Sequence, residues 1–201
     1  QFLYFIGKLS LTKPHQAFKS RPVAMATYTY DFTLTPPGAP APVLKDVRFT
    51  LQRGRTTAVL GLSGSGKSVL LQVVACRMNL QSFGFAGHVH APAADMLGLS
   101  PMDTDKILDR LRPQVAYVPP DDVVFGFDTP REAVVFRHRL AFGSTKEEAE
   151  AAAAKLLAEL GLEQCADNLI APGVGLRGIS GGQRRRTCIA MALVTRPAIL
   201  V

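Results

Sequence analysis

Short apolar runs and alternating apolar and polar positions recur along the chain, with helical patterns between them. Alternation, or a short apolar run bounded by turn residues, predicts five strands, at residues 26–34, 46–51, 57–60 and 115–118 and from Ala198 onward. Helical propensity and spacing predict four helices, at residues 66–78, 103–111, 144–160 and 181–194. Strands that alternate with helices indicate an α/β fold around a largely parallel sheet, joined by antiparallel strands from the N-terminal part.

Local signals support these boundaries. A proline-rich loop at residues 36–42 cannot lie inside a sheet. Ser144 followed by Glu147 predicts a capping box, and Gly161 fits the end of the helix that this box begins. Between residues 81 and 113 the pattern is weak apart from the helix, so no strand is predicted there. The run at 57–60 is expected to be a strand buried on both faces, and the run at 115–118 is expected to be another short buried strand.

Composition limits the classes of protein to consider. With 47% hydrophobic and 19% charged residues among 201, the chain can bury a core and is long enough for one domain. Its net charge of +7 suggests an anionic partner. Three cysteines at long spacings form neither a disulfide framework nor a zinc pattern, which favours a reducing compartment. No run approaches the ~20 apolar residues of a membrane span.

The two ends of the chain also lead to expectations. In residues 1–25 the basic residues follow the apolar ones, which excludes a secretory signal and predicts a loosely held extension. Because the chain begins at Gln1 and stops inside an apolar run, we expect it to be a fragment.

The sharpest motif is GLSGSGKS at residues 61–68, which satisfies G-x-x-x-x-G-K-[ST] in full. Its glycines allow successive backbone N–H groups to face a phosphate, and the N-terminus of the following helix adds a positive dipole end. The lysine is expected to contact phosphate oxygens and the final serine to ligate Mg²⁺. The predicted nucleotide-binding residues are Gly61, Ser63, Gly64, Ser65, Gly66, Lys67 and Ser68.

A second motif, GISGGQ at residues 178–183, opens the last predicted helix. Ser180 and Gln183 form a predicted capping box, and the glycines between them permit close approach to bare N–H groups. Alone, this segment would be interpreted as an ordinary helix cap. Beside a complete phosphate loop, it indicates a second phosphate-facing helix end.

Together the two motifs resemble those of an ABC-type ATP-binding domain. The residues in its signature sequence are Ile179, Ser180, Gly181, Gly182 and Gln183. The segments similar to the G subfamily, the pigment-precursor and multidrug group, are residues 117–122, 129–132, 159–167 and 177–182. The resemblance runs from Thr27 to Val201. It implies a P-loop NTPase with a mostly parallel core sheet, an N-terminal antiparallel β portion and a helical signature subdomain. It places this domain at residues 26–201 and ends it at the start of the Walker B strand.

In this family two ATP-binding domains close head to tail on two nucleotides. The resemblance therefore implies that the signature residues contact the ATP of a partner domain, while Lys67 contacts its own. It implies ATP and Mg²⁺ as cofactors, with Ser68 as the metal ligand. It also implies a second ATP-binding domain and a transmembrane domain as partners, and a place on the cytosolic face of a membrane. No nucleic-acid partner is expected. An aromatic upstream of the loop would stack on adenine; Tyr30 is the first choice and Tyr28 the second, with a core role equally open for each.

One position departs from the family pattern. Pro120 stands where the family places a glutamine that helps to ligate Mg²⁺ and position water, and proline has neither an amide side chain nor a backbone N–H. Three explanations remain open: hydrolysis is slow, a neighbour such as Asp121 substitutes, or this is the degenerate half of an asymmetric pair. The Walker B carboxylates and the switch histidine would lie beyond Val201. We therefore expect the parent protein to hydrolyse ATP, and these 201 residues alone not to.

Two smaller features and two alternative functions complete the expectations. His88 and His90 could ligate a metal from one strand face, but without a third partner ordinary histidines are favoured. The run at residues 184–186 is basic and is more often a solvated helix face. The leading interpretation is the ATPase of a membrane transporter. The alternatives are a soluble ABC-type ATPase that acts on ribosomes or DNA, and a regulatory domain that binds ATP without hydrolysing it.

Overall fold

The computed structural model describes residues 27–91, 103–171 and 178–201. The chain divides into two units, Gln1–Pro113 and Gln114–Val201. The extension predicted for residues 1–25, the first residue of the first predicted strand, and Arg177 of the signature match lie outside the described residues.

The first unit is built on an antiparallel sheet. Strand β1 (Thr27–Thr35) lies between β2 (Leu44–Gln52) and β3 (Gly84–His90) and pairs with both. Alternate side chains of β1 are buried because every second residue of a strand points to the same face. The predicted antiparallel strands are thus confirmed. Strand β3 was not predicted, because its sequence contains glycines and histidines in place of an apolar alternation. One of these glycines, Gly87, has φ +142, and a Cβ there would collide with the backbone of β1.

Residues 57–60 do not form the predicted strand. They are exposed and without regular secondary structure, and Leu60 is 85% exposed. A strand needs a neighbouring backbone to pair its N–H and C=O groups, and a short apolar run cannot replace that partner. Among the described residues, the only strand pairings are β2 with β1, β1 with β3, and β4 with β5. The prediction of a strand buried on both faces is therefore wrong for this segment.

Two helices complete the first unit. Helix α1 (Lys67–Val74) follows the phosphate motif, as predicted, but ends earlier than expected because Cys76 adopts a left-handed backbone with φ 54. Helix α2 (Thr104–Leu111) begins after Asp103 and buries Ile107, Leu108 and Leu111. It continues as a 3₁₀ turn, Arg112–Gln114, which contains Pro113. The second helix is confirmed with its predicted end.

The second unit contains a short parallel strand pair. Strands β4 (Val115–Ala116) and β5 (Ile199–Leu200) are parallel, and the pairing continues where Val118 N–H donates to the Val201 carbonyl at 2.8 Å. Both strands lie within predicted strand segments. The structure thus has the mixed helix-and-sheet composition of an α/β fold, and its parallel core consists of this pair among the described residues.

Three helices enclose the core of the second unit. They are α3 (Pro130–Phe142), α4 (Lys146–Glu159) and α5 (Gly181–Leu193). Their buried residues include Val134, Leu157 and Ala190, which belong to one apolar cluster. Helix α3 was not predicted, although Thr129 and Glu132 form a capping box at its start and Gly143 ends it in the left-handed conformation. No helix in the described parts of the chain is both long enough and apolar enough to cross a membrane.

The capping box of α4 lies one residue later than predicted. Thr145 and Glu148 form the box, and not Ser144 and Glu147. The Ser144 hydroxyl lies 2.7 Å from Nδ1 of the buried His138, so its hydrogen bond is committed elsewhere. The predicted stop at Gly161 is confirmed by its φ of 63.

Candidate functional site

The phosphate motif forms an exposed loop that closes on its own lysine. Gly64 and Gly66 have φ values of 79 and 86, a left-handed backbone that glycine adopts without strain. The Lys67 ammonium donates to the carbonyls of Gly61 and Leu62 at 3.0 and 2.6 Å. The sequence GLSGSGKS therefore folds into a compact turn with a cation directed into it.

The start of α1 has the properties of an anion site. Its N-cap residue is Gly66, which has no side chain to cap the first N–H groups of the helix. The first turn of this described helix also contains no acidic residue. The first N–H groups of a helix lack intrahelical acceptors and carry a partial positive charge. Lys67 adds a full positive charge at the same end, and the Ser68 hydroxyl is exposed in the first turn. These groups fit a nucleotide phosphate with an accompanying Mg²⁺.

Gly66 is required by its own surroundings. A Cβ at this position would lie 2.8 Å from Leu44 Cδ2 and 3.2 Å from the Val43 carbonyl oxygen. At Gly61 a Cβ would lie 2.7 Å from Ser65 Oγ, and rotation of the serine side chain can relieve that contact. Glycine at position 66 thus lets the loop lie closely against the start of β2.

The signature motif forms the N-terminus of α5. Ser180 accepts from Gln183 N–H at 3.2 Å, and Gln183 Oε1 accepts from Ser180 N–H at 2.8 Å, which confirms the predicted capping box. Ile179 is buried in the core cluster, whereas Ser180, Gly181 and Gly182 are exposed. The buried isoleucine anchors the segment and presents the next three residues to the surface.

The signature glycines, unlike Gly66, are not explained by packing. A Cβ at Gly181 would meet nothing within 4 Å, and one at Gly182 would meet only Arg186 Nη1 at an ordinary 3.7 Å. Glycine costs a helix about 0.5–1 kcal/mol relative to alanine. Two glycines in the first turn of α5 are therefore a stability cost without a structural cause in the described surroundings, which is typical of a surface that a ligand approaches closely.

Pro120 and Asp121 lie in an extended segment after β4. Both are exposed, whereas Asp122 is half-buried and faces α5. Arg185 of α5 donates to the Pro119 carbonyl and lies 3.7 Å from the Asp122 carboxylate. The segment is therefore held by α5 through Pro119 and Asp122, and Pro120 and Asp121 remain exposed. Sequence reasoning assigned the run at 184–186 to a solvated face and missed this role of Arg185.

Tyr30 is placed in the core of the first unit. Its ring is fully buried and stacks on Phe49 with centroids 4.8 Å apart, and burial raises the pKa of its hydroxyl far above the usual value. Tyr28 is also buried. Neither ring has a free face for adenine in this structure, so the prediction that Tyr30 stacks on the base is corrected in favour of the core alternative. The cause is the alternation of β1, which directs Tyr28, Tyr30, Phe32 and Leu34 to one buried face.

His88 and His90 lie on one face of β3, as their spacing requires. His88 is opposite Asp31 and His90 is opposite Thr29 in the register with β1. Within residues 27–91, 103–171 and 178–201, no group of three or more His, Cys, Asp or Glu side chains is arranged to hold a metal ion. The two histidines therefore have no structural support as metal ligands in this part of the chain.

Comparison with known proteins decides the family. The family model described as "ABC transporter" matches residues 44–201, which include both motifs and the segment around Pro120. The chain belongs to the ABC transporter family. Membership in this family implies that the domain binds ATP.

Curated proteins with similar sequences include transporters of the G subfamily. ABC transporter G family member 25 of Arabidopsis thaliana is 34% identical over 161 residues, which cover 79% of this chain and 22% of that protein. The broad substrate specificity ATP-binding cassette transporter ABCG2 of Bos taurus is 34% identical over 160 residues, with the same coverage. The putative white-brown complex homolog protein 30 of Arabidopsis thaliana is 29% identical over 202 aligned positions, 99% of this chain. The chain spans about a fifth of the length of these ABC transporters.

Several residues in the segments that resemble the G subfamily make structural contacts. Thr129 and Glu132 form the capping box of α3, and Arg131 forms a bidentate pair with Asp167 at 2.7 and 3.0 Å. These residues come from two of the segments that resemble the G subfamily. In this ABC transporter domain they connect the start of α3 to the 3₁₀ turn Glu163–Cys165 and its following residues.

Proposed function

We propose that this chain is the ATP-binding domain of a membrane transporter of the G subfamily and that it couples ATP hydrolysis to transport. The observation that carries the proposal is the phosphate loop, in which Lys67 and the uncapped N-terminus of α1 converge on one exposed surface. In this proposal, the backbone N–H groups at 64–68 and Lys67 bind the triphosphate. The Ser68 hydroxyl holds Mg²⁺, which neutralises phosphate charge when bound.

A second ATP-binding domain is proposed as the partner of the signature surface. Ser180, Gly181 and Gly182 are exposed, and a hydroxyl and open helix N–H groups are suited to a phosphate held by another domain. Two glycines that their own unit does not need support this assignment. The proposed site residues of the second unit are thus Ile179 as the anchor, Ser180, Gly181 and Gly182 as contacts, and Gln183 as the cap.

A transmembrane domain is proposed as the second partner, on the cytosolic side of the membrane. In the extended segment after Pro120, every other residue points outward, and Val123, Phe125 and Phe127 are 70–77% exposed. On α3, Phe136 and Leu140 are also exposed and lie one turn apart on the same face. Exposed aromatic residues in such numbers typically mark an interaction surface. We assign these exposed apolar side chains to the contact with the transmembrane domain.

Nucleotide binding is the direct test of the phosphate site. A fluorescent ATP analogue is titrated into the chain with and without Mg²⁺, for the wild type, Lys67→Ala and Lys106→Ala. Lys106 is an exposed lysine of α2, so its replacement removes the same charge from an element that is not part of the loop. We expect Lys67→Ala to weaken binding at least about tenfold and Lys106→Ala to change it by less than about twofold. Equal binding by wild type and Lys67→Ala would reject the site.

Hydrolysis and transport are tested in the full-length protein reconstituted in vesicles. We expect ATP turnover that depends on Mg²⁺ and on Lys67, and that falls when Phe125 and Phe127 are replaced by serine. Tight ATP binding without turnover, even beside a competent partner domain, would favour the regulatory alternative. That alternative retains one supporting observation, the presence of Pro120 at the expected glutamine position.

A further inference from the structure

Arg185 holds the segment that follows β4. Its Nη1 donates to the Pro119 carbonyl, its Nη2 lies 3.5 Å from the Val118 carbonyl oxygen, and Nη1 lies 3.7 Å from Asp122 Oδ1. The side chains of Arg185 and Asp122 are only 20% and 23% exposed, so water screens the pair weakly. A planar guanidinium with several fixed donors can satisfy these acceptors together, which a lysine ammonium cannot do in the same geometry.

Cys188 adds a second contact from the same helix. It lies three residues after Arg185, hence on the same face of α5, and its Sγ is 3.9 Å from Asp122 Oδ1. The thiol is buried, and burial raises its pKa, so it stays protonated and donates a weak hydrogen bond. Two side chains of α5 therefore hold Asp122.

A backbone connection links the same two regions independently of Arg185. Ala171 N–H donates to the Gly126 carbonyl at 2.8 Å, and Ile170 N–H donates to the Asp128 carbonyl at 2.9 Å. Ile179 N–H in turn donates to the Ile170 carbonyl at 3.2 Å. A Cβ on Gly126 would collide with the Ala171 carbonyl, so this contact is as close as two backbones allow. The residue directly before Ser180 is thus tied to the stretch that follows Asp122.

We propose that Arg185 is a positioning residue that joins the Pro120–Asp121 segment to the signature end of α5, so that the two move as one rigid body. This inference rests on the proposed function for its catalytic consequence, since both surfaces are proposed nucleotide contacts. Pro120 has no polar side chain and no N–H, so its segment contributes through its position, and Arg185 sets that position. ATP affinity depends on the phosphate loop of the other unit, whereas turnover depends on this alignment.

The kinetic test uses the full-length protein reconstituted in vesicles. The variants are Arg185→Ala, Arg185→Lys and Asp122→Asn, and the matched control is Arg184→Ala, which removes the same charge from the same helix. We expect Arg185→Ala to lower kcat for ATP at least about tenfold while the Kd of ATP changes less than about twofold. Arg185→Lys should restore part of the rate. Combining Arg185→Ala with Asp122→Asn should add little to either single loss, because both remove one contact.

Amide hydrogen exchange provides a readout that needs no turnover. In Arg185→Ala and Arg185→Lys, exchange should increase together at the amides of Val118, Asp121 and Asp122 and at residues 180–183, with Arg184→Ala unchanged. Faster exchange in the first stretch alone, or an unchanged kcat in a folded Arg185→Ala protein, would overturn the proposal. If Arg185→Ala increases exchange in both stretches but the wild-type protein neither binds nor hydrolyses ATP, the rigid-body assignment stands and the proposed function fails.

Discussion

Replacing Gly182 or Gly66 by alanine should change the stability of the fold in opposite directions. At Gly182 a methyl group meets only Arg186 Nη1, at an ordinary contact distance of 3.7 Å. Since alanine is the better helix former, Gly182→Ala should stabilise the fold by about 0.5 kcal/mol, the lower end of the expected range because the site is in the first helical turn. At Gly66, alanine must adopt a φ of +86, which costs about 1–2 kcal/mol.

Packing increases the cost at Gly66 further. The added Cβ would lie 2.8 Å from Leu44 Cδ2, which can rotate, and 3.2 Å from the Val43 carbonyl oxygen, which belongs to the backbone and moves less readily. Gly66→Ala should therefore destabilise the fold by about 2 kcal/mol or more. For a chain of 201 residues this corresponds to a Tm lower by roughly 4–8 °C, against a rise of about 1–2 °C for Gly182→Ala.

The assay compares stability with activity in the same proteins. Thermal and urea unfolding are followed by circular dichroism, and ATP turnover is measured per folded full-length protein. Gly182→Ala should lose turnover at least about tenfold although it is the more stable protein, because its methyl occupies the surface proposed to meet a partner's phosphate. Ala192→Gly, on the same helix but far from its N-terminus, is the matched control: it should lower stability and leave turnover per folded molecule unchanged.

Two results would refute this reasoning. If Gly182→Ala is destabilised as strongly as Gly66→Ala, the signature glycines are required by the fold and their exposure has no functional meaning. If Gly182→Ala is stable and fully active, no ligand approaches this helix end closely, and the proposed partner contact is wrong.

Three further predictions concern buried groups. Tyr30→Phe should raise the unfolding free energy by about 1 kcal/mol in urea titrations. The buried hydroxyl has no hydrogen-bond partner in the described structure, and its removal leaves the ring stacking intact. A loss of stability would mean that the hydroxyl is paired. The thiols of Cys76, Cys165 and Cys188 should react with a thiol reagent only on unfolding, since all three are buried and burial raises the pKa of Cys76 to about 11; rapid labelling of the native protein would contradict this. Burial and the nearby Arg196 lower the pKa of His138. The unfolded state therefore binds more protons than the folded state, and the free energy of unfolding should fall as the pH decreases below about 6.5. His138→Asn should flatten that pH dependence.

The sequence alone determined the features whose causes are local. The capping pair Ser180 and Gln183 begins α5 because both partners lie within one helical turn. Gly64 and Gly66 allow the left-handed turns of the phosphate loop, and Gly161 ends α4, because only the backbone of that residue is concerned. The alternation at residues 46–51 predicted the half-buried strand β2. Each of these features depends on neighbours a few residues away, which a pattern can display.

Tertiary structure decided everything that depends on a distant partner. Residues 57–60 have the composition of a buried strand, yet they are exposed because pairing requires another backbone and not only apolar side chains. The sequence left open whether Tyr30 stacks on adenine or belongs to the core, and its ring packs on Phe49. A strand pattern shows which residues share a face, but it does not show what covers that face. Thr145 caps α4 in place of Ser144, because the Ser144 hydroxyl is hydrogen-bonded to His138. Arg185 acquired its role from carbonyl groups more than sixty residues away, since hydrogen-bond geometry in space, and not spacing in sequence, selects such partners.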